Sequence, residues 1–335
     1  MTKRQEILRL NRFGDAGGFE LVEAPLPVPG PGEVRVRVLA AGVQFTDVVM
    51  RQGRYPDLRQ KPPLVLGYDV VGEIDELGAG VTGHAIGDRV ADLTVTGSYA
   101  RYRLLRADRV SKLPAGAESA QASTLVLSWV TAYQLLHRLA RVQRGQRVLI
   151  QGAAGAVGQA LLALGAQAGL VMWATARASD AELIRSFGAI PLDFEAEQDP
   201  RRIGPGAYDV VFDGVGEAGF TRSWSSLRAG GLLAAFGLSA GVKQGAGPLT
   251  AAWWFARLKL WDLLPNGKSA RFFSIVALRQ RHPEWYRADL EALLALLAEK
   301  VIRPLVAERI SLAQVAGAHR RLETGGVKGK IVICP

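Results

Sequence analysis

Residues 147–158 read RVLIQGAAGAVG, and no other stretch constrains the fold as much. The apolar run Val148–Leu149–Ile150 leads into a turn spaced Ala153-x-Gly155-x-x-Gly158, and small and apolar residues of helical character follow to Ala168. A strand, a glycine turn and a helix in that order are what a dinucleotide-binding βαβ unit requires. Gly155 lets the backbone approach a pyrophosphate, and Gly158 lets the helix pack close to its strand. Free N–H groups and the positive helix end then hold the diphosphate. The usual first glycine is Ala153 here, with Gly152 just before it. Gly152, Ala154, Gly155, Ala156, Val157 and Gly158 are the expected contacts.

The flanking sequence supports the same fold class. Strands are predicted at Arg147–Gln151, Leu170–Thr175, Tyr208–Phe212 and Gly231–Phe236, with helices at Val157–Ala168 and Asp180–Phe187. That βαβα rhythm predicts an α/β fold with a doubly wound parallel sheet. The first third differs. In Glu33–Val43, valines at 34, 36 and 38 alternate with Arg35, Arg37 and Leu39, the period of a half-buried strand. Further short strands, punctuated by Gly and Pro, make this an all-β, barrel-like lobe. Near the end, a helix is expected over Glu284–Lys300. Ser311 and Gln314 form a capping box for a helix stopping at Gly325 and Gly326, and Val327–Cys334 is a terminal strand.

The second strand ends Ala174-Thr175-Ala176-Arg177-Ala178-Ser179. An NAD-preferring site places an acid there for the ribose hydroxyls. None occurs before Asp180, while Arg177 can pair with a 2′-phosphate and Ser179 can donate to it. Thr175, Ala176, Arg177 and Ser179 therefore join the expected cofactor contacts, and NADPH is the expected cofactor.

Composition excludes several alternatives. There are 41 Lys and Arg against 31 Asp and Glu, a net charge of +10. The arginines are dispersed and no aromatic reader motif accompanies them, which points to a solvated basic surface rather than a nucleic-acid site. The single cysteine, Cys334, excludes a disulfide framework. The start carries no apolar leader, and no window reaches the ~18 apolar residues of a membrane span. A cytoplasmic protein is expected. One segment stands apart: Leu249–Leu264, LTAAWWFARLKLWDLL, too short and too charged to cross a bilayer. Peripheral membrane contact, a dimer contact, a substrate cover and ordinary packing all remain open for it.

The chain resembles the zinc-independent quinone oxidoreductase branch of the medium-chain dehydrogenase/reductase superfamily, with ζ-crystallin-like and vesicle-amine-transport-type relatives. The resemblance spans nearly the whole length. It rests on AAGVQFTDVVMRQGRYP (Ala40–Pro56), GYDVVGEIDELGAGV (Gly67–Val81), GDRV (Gly87–Val90), WVTAYQLL (Trp129–Leu136), GAAGAVG (Gly152–Gly158), YDVVFDGVG (Tyr208–Gly216) and GKIVI (Gly329–Ile333). It implies a GroES-like β-barrel catalytic domain over 1–122 and 266–335 and a Rossmann domain over 123–265, with the active site in the cleft between them.

The resemblance also implies residue roles. Gln44 matches a position usually held by asparagine near the nicotinamide, and Asp47 the aspartate of the same loop. Tyr55 matches an aromatic bordering the substrate. Thr131 matches a threonine that meets the nicotinamide carboxamide. Val215 with Gly214, and Phe236, Gly237 and Leu238, match loops at the cofactor, and Lys330 of GKIVI joins that set. Relatives hold the 2′-phosphate with a lysine where this chain has Asp180 and a tyrosine where it has Phe194. The tyrosine of relatives near Val49 is also missing. Zinc-dependent members place a cysteine and a histidine where this chain has Gln44 or Phe45 and Tyr68, so no metal is expected. Gln44, Tyr55 and Tyr68 are the candidate catalytic residues, with Tyr55, Tyr68 or water as proton donor. The implied reaction passes hydride from NADPH to a quinone or to the β-carbon of an α,β-unsaturated carbonyl. A hydrophobic small-molecule acceptor and a homodimer are expected. The alternatives are a non-catalytic NADPH-binding relative at a membrane or on RNA, and an enoyl reductase dedicated to one pathway.

Overall fold

A computed structural model describes residues 3–55, 58–193, 204–216, 218–237 and 248–335. In chain order its strands are β1 (Arg4–Leu10), β2 (Phe19–Pro25), β3 (Glu33–Val43), β4 (Leu64–Val65), β5 (Asp69–Leu77), β6 (Arg89–Leu93), β7 (Tyr102–Arg106), β8 (Ser111–Lys112), β9 (Arg147–Gln151), β10 (Val171–Ala176), β11 (Ile190–Asp193), β12 (Tyr208–Asp213), β13 (Leu227–Ala235), β14 (Ser269–Phe272), β15 (Val306–Ile310) and β16 (Lys330–Ile333). The chain divides into unit 1, Met1–Val130 with Arg281–Pro335, and unit 2, Thr131–Gln280. Sequence reading places the joins at 122/123 and 265/266. The later second join follows from β14, which pairs in parallel with β13 and so extends the sheet of unit 2.

Unit 2 contains a six-stranded sheet in the order β11-β10-β9-β12-β13-β14. Every pairing in it is parallel. This is the doubly wound order in which the chain reverses direction between the first and fourth strands. The strands are apolar because both faces are covered: Val148, Leu149, Ile150, Val211, Phe212, Leu233 and Ala234 are all buried.

The helix Pro248–Asp262 supplies part of that cover. Its Leu258 and Trp261 enter the core beside Phe220, Leu227 and Ala270, and Trp224 stacks on Trp261 at 5.2 Å. One face of the aromatic segment is thus ordinary packing, while Trp253, Leu260 and Leu263 remain exposed. Among the described residues, no helix is long and apolar enough to cross a membrane.

Unit 1 carries a seven-stranded sheet, β15-β16-β3-β5-β6-β8 with β7 also on β3, and a three-stranded sheet, β2-β1-β4. The alternation in β3 holds for Val34, Val36 and Val38, which are fully or nearly buried. Arg35, expected on the wet face, is buried instead. Its guanidinium forks onto both carboxylate oxygens of Asp75 at 2.9 Å, which offsets its desolvation. Tyr99 lies outside the strands, next to an isolated bridge between Ile7 and Ala100. A helical stretch that begins at Ser119 includes two π-helical segments, Leu125–Trp129 and Leu135–Ala140.

Candidate active site

In unit 2, β9 ends at Gln151 and the chain turns through Gly152, whose φ of +70° lies in the left-handed region that favours glycine. Gly155 is the N-cap of the helix Ala156–Gln167 and offers no side chain to the first N–H groups. A Cβ on Gly158 would fall 2.5 Å from the Ala153 Cα and 2.6 Å from its carbonyl oxygen. Helix and turn therefore touch backbone to backbone. The uncapped N–H groups at this helix start, Ala156 to Gly158, fit a pyrophosphate.

Thr175, at the end of β10, is buried and points into the turn rather than outward. Its Oγ1 accepts from the Gly152 N–H at 3.2 Å and donates to Gln151 Oε1 at 2.7 Å. Its carbonyl accepts from the Ala153 N–H at 3.0 Å. Thr175 thus shapes the turn. Ala176 is buried, while Arg177 and Ser179 are exposed. Arg177 makes no side-chain hydrogen bond or ion pair among the described residues, so its guanidinium is available to an anion.

The loop after β12 is held by Asp213, a residue to which sequence reading gave no role. Its Oδ1 accepts from the N–H groups of Val215 and Gly216 at 2.9 and 3.0 Å, and its Oδ2 accepts from Ser223 Oγ at 2.7 Å. Burial raises the Asp213 pKa, opposed by those three donors. A Cβ on Gly214 would meet the Phe236 ring at 2.6 Å, and one on Gly237 the Gly214 carbonyl oxygen at 2.5 Å. The loops that end β12 and β13 are thereby pressed together. Thr131 is nearly buried on the short helix Val130–Gln134. Phe194 and Leu238 lie outside the described residues.

The unit 1 candidates gather into two groups. Tyr55 and Tyr68 meet hydroxyl to hydroxyl at 2.8 Å with their rings edge to face. Tyr68 is buried and Tyr55 partly exposed. Gln44 belongs to a buried polar cluster. Its Nε2 donates to Asp69 Oδ2, and its Oε1 accepts from Lys330 Nζ. Lys330 Nζ is 3.7 Å from Asp69 Oδ2, and the Gly42 N–H donates to Asp69 Oδ1 at 2.6 Å. Burial raises Asp69 and lowers Lys330, and each opposes the shift of the other. Lys330, expected among the cofactor contacts, thus has its ammonium engaged by Gln44 and Asp69.

Asp47 is fully buried beside them. Its Oδ2 accepts from the Gln44 N–H at 2.9 Å, and its Oδ1 has no partner among the described residues. Burial, with the nearby Asp69, pushes its pKa up to about 7. Tyr99 OH lies 3.2 Å from His319 Nε2, and burial lowers His319 to about 3, so its ring is neutral. Arg51 pairs with Glu323. Among the described residues, no group of three His, Cys, Asp or Glu is placed to hold a metal ion.

The Asp47 shift fixes the sign of a pH effect. A carboxyl whose folded pKa lies above its unfolded value binds its proton more tightly when folded. Its contribution therefore destabilises the fold progressively as pH rises from about 4 to about 7. Asp47→Asn keeps the acceptor for the Gln44 N–H and removes the titration. The urea-midpoint difference between Asp47→Asn and the wild type is expected to be small near pH 4 and to widen up to about pH 7, with the variant the more stable. A difference that does not change with pH would assign the effect to another group.

Comparison with known proteins places these features in a family. Residues 30–115 match the alcohol dehydrogenase GroES-like domain, and residues 189–333 match the zinc-binding dehydrogenase family. The mouse synaptic vesicle membrane protein VAT-1 homolog-like is 28% identical over 330 residues, covering 96% of this chain and 79% of its own. A 2-haloacrylate reductase from a Burkholderia species is 28% identical over 344 residues, covering 97% of this chain and 98% of its own. The mycobacterial protein Rv1454c, solved in complex with NADPH, superposes with a TM-score of 0.85 at 29% identity, covering 99% of this chain and 100% of that one. The quinone oxidoreductase of Coxiella burnetii gives 0.83 at 25% identity, with coverage of 99% and 100%. Each of these solved structures matches over nearly the full chain. This protein belongs to the medium-chain dehydrogenase/reductase superfamily, in the branch of the VAT-1-like proteins and quinone oxidoreductases.

Proposed function

We propose that the protein is an NADPH-dependent reductase of conjugated acceptors, either quinones or α,β-unsaturated carbonyl compounds. The observation that carries the reading is the end of β10. A glycine turn that fits a diphosphate is followed by an acid-free strand end and an exposed Arg177 that has no side-chain partner among the described residues. Relatives named for 2-haloacrylate reduction and quinone reduction, and one solved with NADPH, support it.

In this reading Ala156 to Gly158 bind the diphosphate, Arg177 and Ser179 the 2′-phosphate, and the Val215 and Phe236 loops the nicotinamide end. When bound, NADPH supplies a hydride. The protein's residues position the reactants and stabilise charge. The Tyr55–Tyr68 pair provides a phenol proton within one hydrogen bond of a buried partner. The same reading makes the protein a cytoplasmic homodimer.

Arg177→Ala is expected to weaken NADPH selectively, by roughly 10- to 100-fold, the value of a hydrogen bond to a charged group. NADH affinity is expected to stay level. Equal weakening of both cofactors would remove Arg177 from the 2′-phosphate site. The reaction itself is tested with deuterated NADPH against a panel of quinones, cyclic enones and 2-haloacrylate. Label is expected at the β-carbon of the enone product. Label at the carbonyl carbon would make the enzyme a ketone reductase. No turnover of any conjugated acceptor would favour a protein that binds NADPH without catalysis.

A further inference from the structure

The Gln44 amide is fixed at both ends by a buried ion pair. A lysine ammonium has three donors and no acceptor, so the atom facing Lys330 must be Oε1. A carboxylate has no donor, so the atom facing Asp69 must be Nε2. The amide can therefore point only one way. The pair is itself confined: the Gly42 N–H holds the other oxygen of Asp69 at 2.6 Å. A side chain on Gly42 would collide with Lys330 Cε, Gln44 Nε2 and Asp69 Oδ2, so the glycine makes the space in which the three meet. With Oε1 facing Lys330 and one N–H spent on Asp69, the second N–H of Nε2 is the donor left without a partner among the described residues.

We propose that Asp69 and Lys330 are positioning residues that hold Gln44 as a hydrogen-bond donor to the carbonyl oxygen of the acceptor. The site would then select acceptors whose reduction places negative charge on oxygen. The inference rests on the reductase reading above. The acceptor takes a hydride from the reduced nicotinamide at its β-carbon, its π pair moves to oxygen, and a proton from the Tyr55–Tyr68 pair, resupplied by water, completes the product. The developing oxyanion is what a fixed, nearly buried N–H stabilises more than it stabilises the ground-state carbonyl. An amide free to flip would present its own oxygen half the time and repel that charge.

A double-mutant cycle tests this, read as kcat on a cyclic enone and as NADPH Kd by fluorescence titration. Gln44→Ala, and Gln44→Glu, which keeps the shape but cannot donate when ionised, are each expected to lower kcat by roughly 10²-fold. Lys330→Met is expected to lower kcat about as far in the wild-type background, but by less than ~2-fold in Gln44→Ala. Lys330→Arg is expected to restore most of the rate, and NADPH Kd to stay within ~3-fold throughout. Lys330→Met leaves Asp69 unpaired, so Asp69→Asn/Lys330→Met, which removes both charges, is measured beside it, with thermal melts for all variants. Rate losses that multiply in the double variant, or an NADPH Kd that rises in Lys330→Met, would overturn the inference by placing Lys330 on the cofactor. A wild type inactive on every conjugated acceptor would instead sink the reductase reading.

Discussion

Gly158→Val is expected to abolish NADPH binding. The atoms a Cβ would meet, at 2.5 to 2.7 Å, are the Cα, carbonyl oxygen and carbonyl carbon of Ala153. All are backbone, so no rotamer change relieves the clash, and the helix Ala156–Gln167 must lift from the turn. A displacement of about 1 Å takes its first N–H groups out of hydrogen-bonding range of a diphosphate, where distance and angle both matter. Gly155 is the control. A Cβ there has an ordinary contact, 3.4 Å to the Gly152 carbonyl oxygen, and a φ of −73° that any residue adopts. Gly155→Ala should therefore fold and melt like the wild type, and should weaken binding only where its methyl stands between backbone and phosphate. Isothermal calorimetry decides between the two sites. Unchanged affinity in Gly158→Val would mean that the diphosphate does not sit on this turn.

The turn was legible because it is local. Residues 152–158 are contiguous, and their meaning needs only a strand before and a helix after, both found within a residue of the predicted ends. The parallel sheet was legible for the same reason, through the buried runs of β9, β10, β12 and β13. The edge strands were not. The four residues of β14, Ser-Ala-Arg-Phe, have no period that a sequence reader can use, and they become a strand only by pairing with Leu232–Ala235. The opening hairpin of β1 and β2 mixes charges into its apolar positions, which leaves no clean alternation in the sequence.

The unit 1 cluster shows the same limit more sharply. Gln44 and Asp69 are 25 positions apart, and Gln44 and Lys330 are 286. They meet because β3 pairs with β5 on one side and with β16 on the other, where Ile331 faces Val43. Family resemblance drew attention to Gln44 and Lys330 separately. That the lysine grips the glutamine follows only from the register. Asp213 was inside a quoted motif but had no assigned task, because its partners Val215, Gly216 and Ser223 are loop and helix groups whose orientation the sequence does not specify.

Asp213→Ala should be the most damaging single change away from the turn itself. The carboxylate is fully buried and satisfies two N–H groups and a hydroxyl. Alanine leaves all three donors unpaired, at roughly 1–3 kcal/mol each where no water replaces the acceptor, so a loss of ~3 kcal/mol or more is expected. The damage also travels. Ser223 Oγ accepts from Gln151 Nε2 at 3.3 Å, Gln151 Oε1 accepts from Thr175 Oγ1 at 2.7 Å, and Thr175 Oγ1 accepts from the Gly152 N–H at 3.2 Å. The chain of hydrogen bonds therefore runs from the end of β12 to the start of the diphosphate turn. Losing its first member should weaken NADPH ~10-fold or more besides lowering stability. Asp213→Asn keeps one oxygen for the Val215 and Gly216 N–H groups, and Ser223 can rotate its hydroxyl to accept from the new amide. Its loss should be nearer 1 kcal/mol. Urea midpoints with and without saturating NADPH read both effects at once, because a ligand that binds only the folded state raises the midpoint according to its affinity. If Asp213→Ala shows the wild-type midpoint and the wild-type gain on adding NADPH, Asp213 does not hold this end of the sheet.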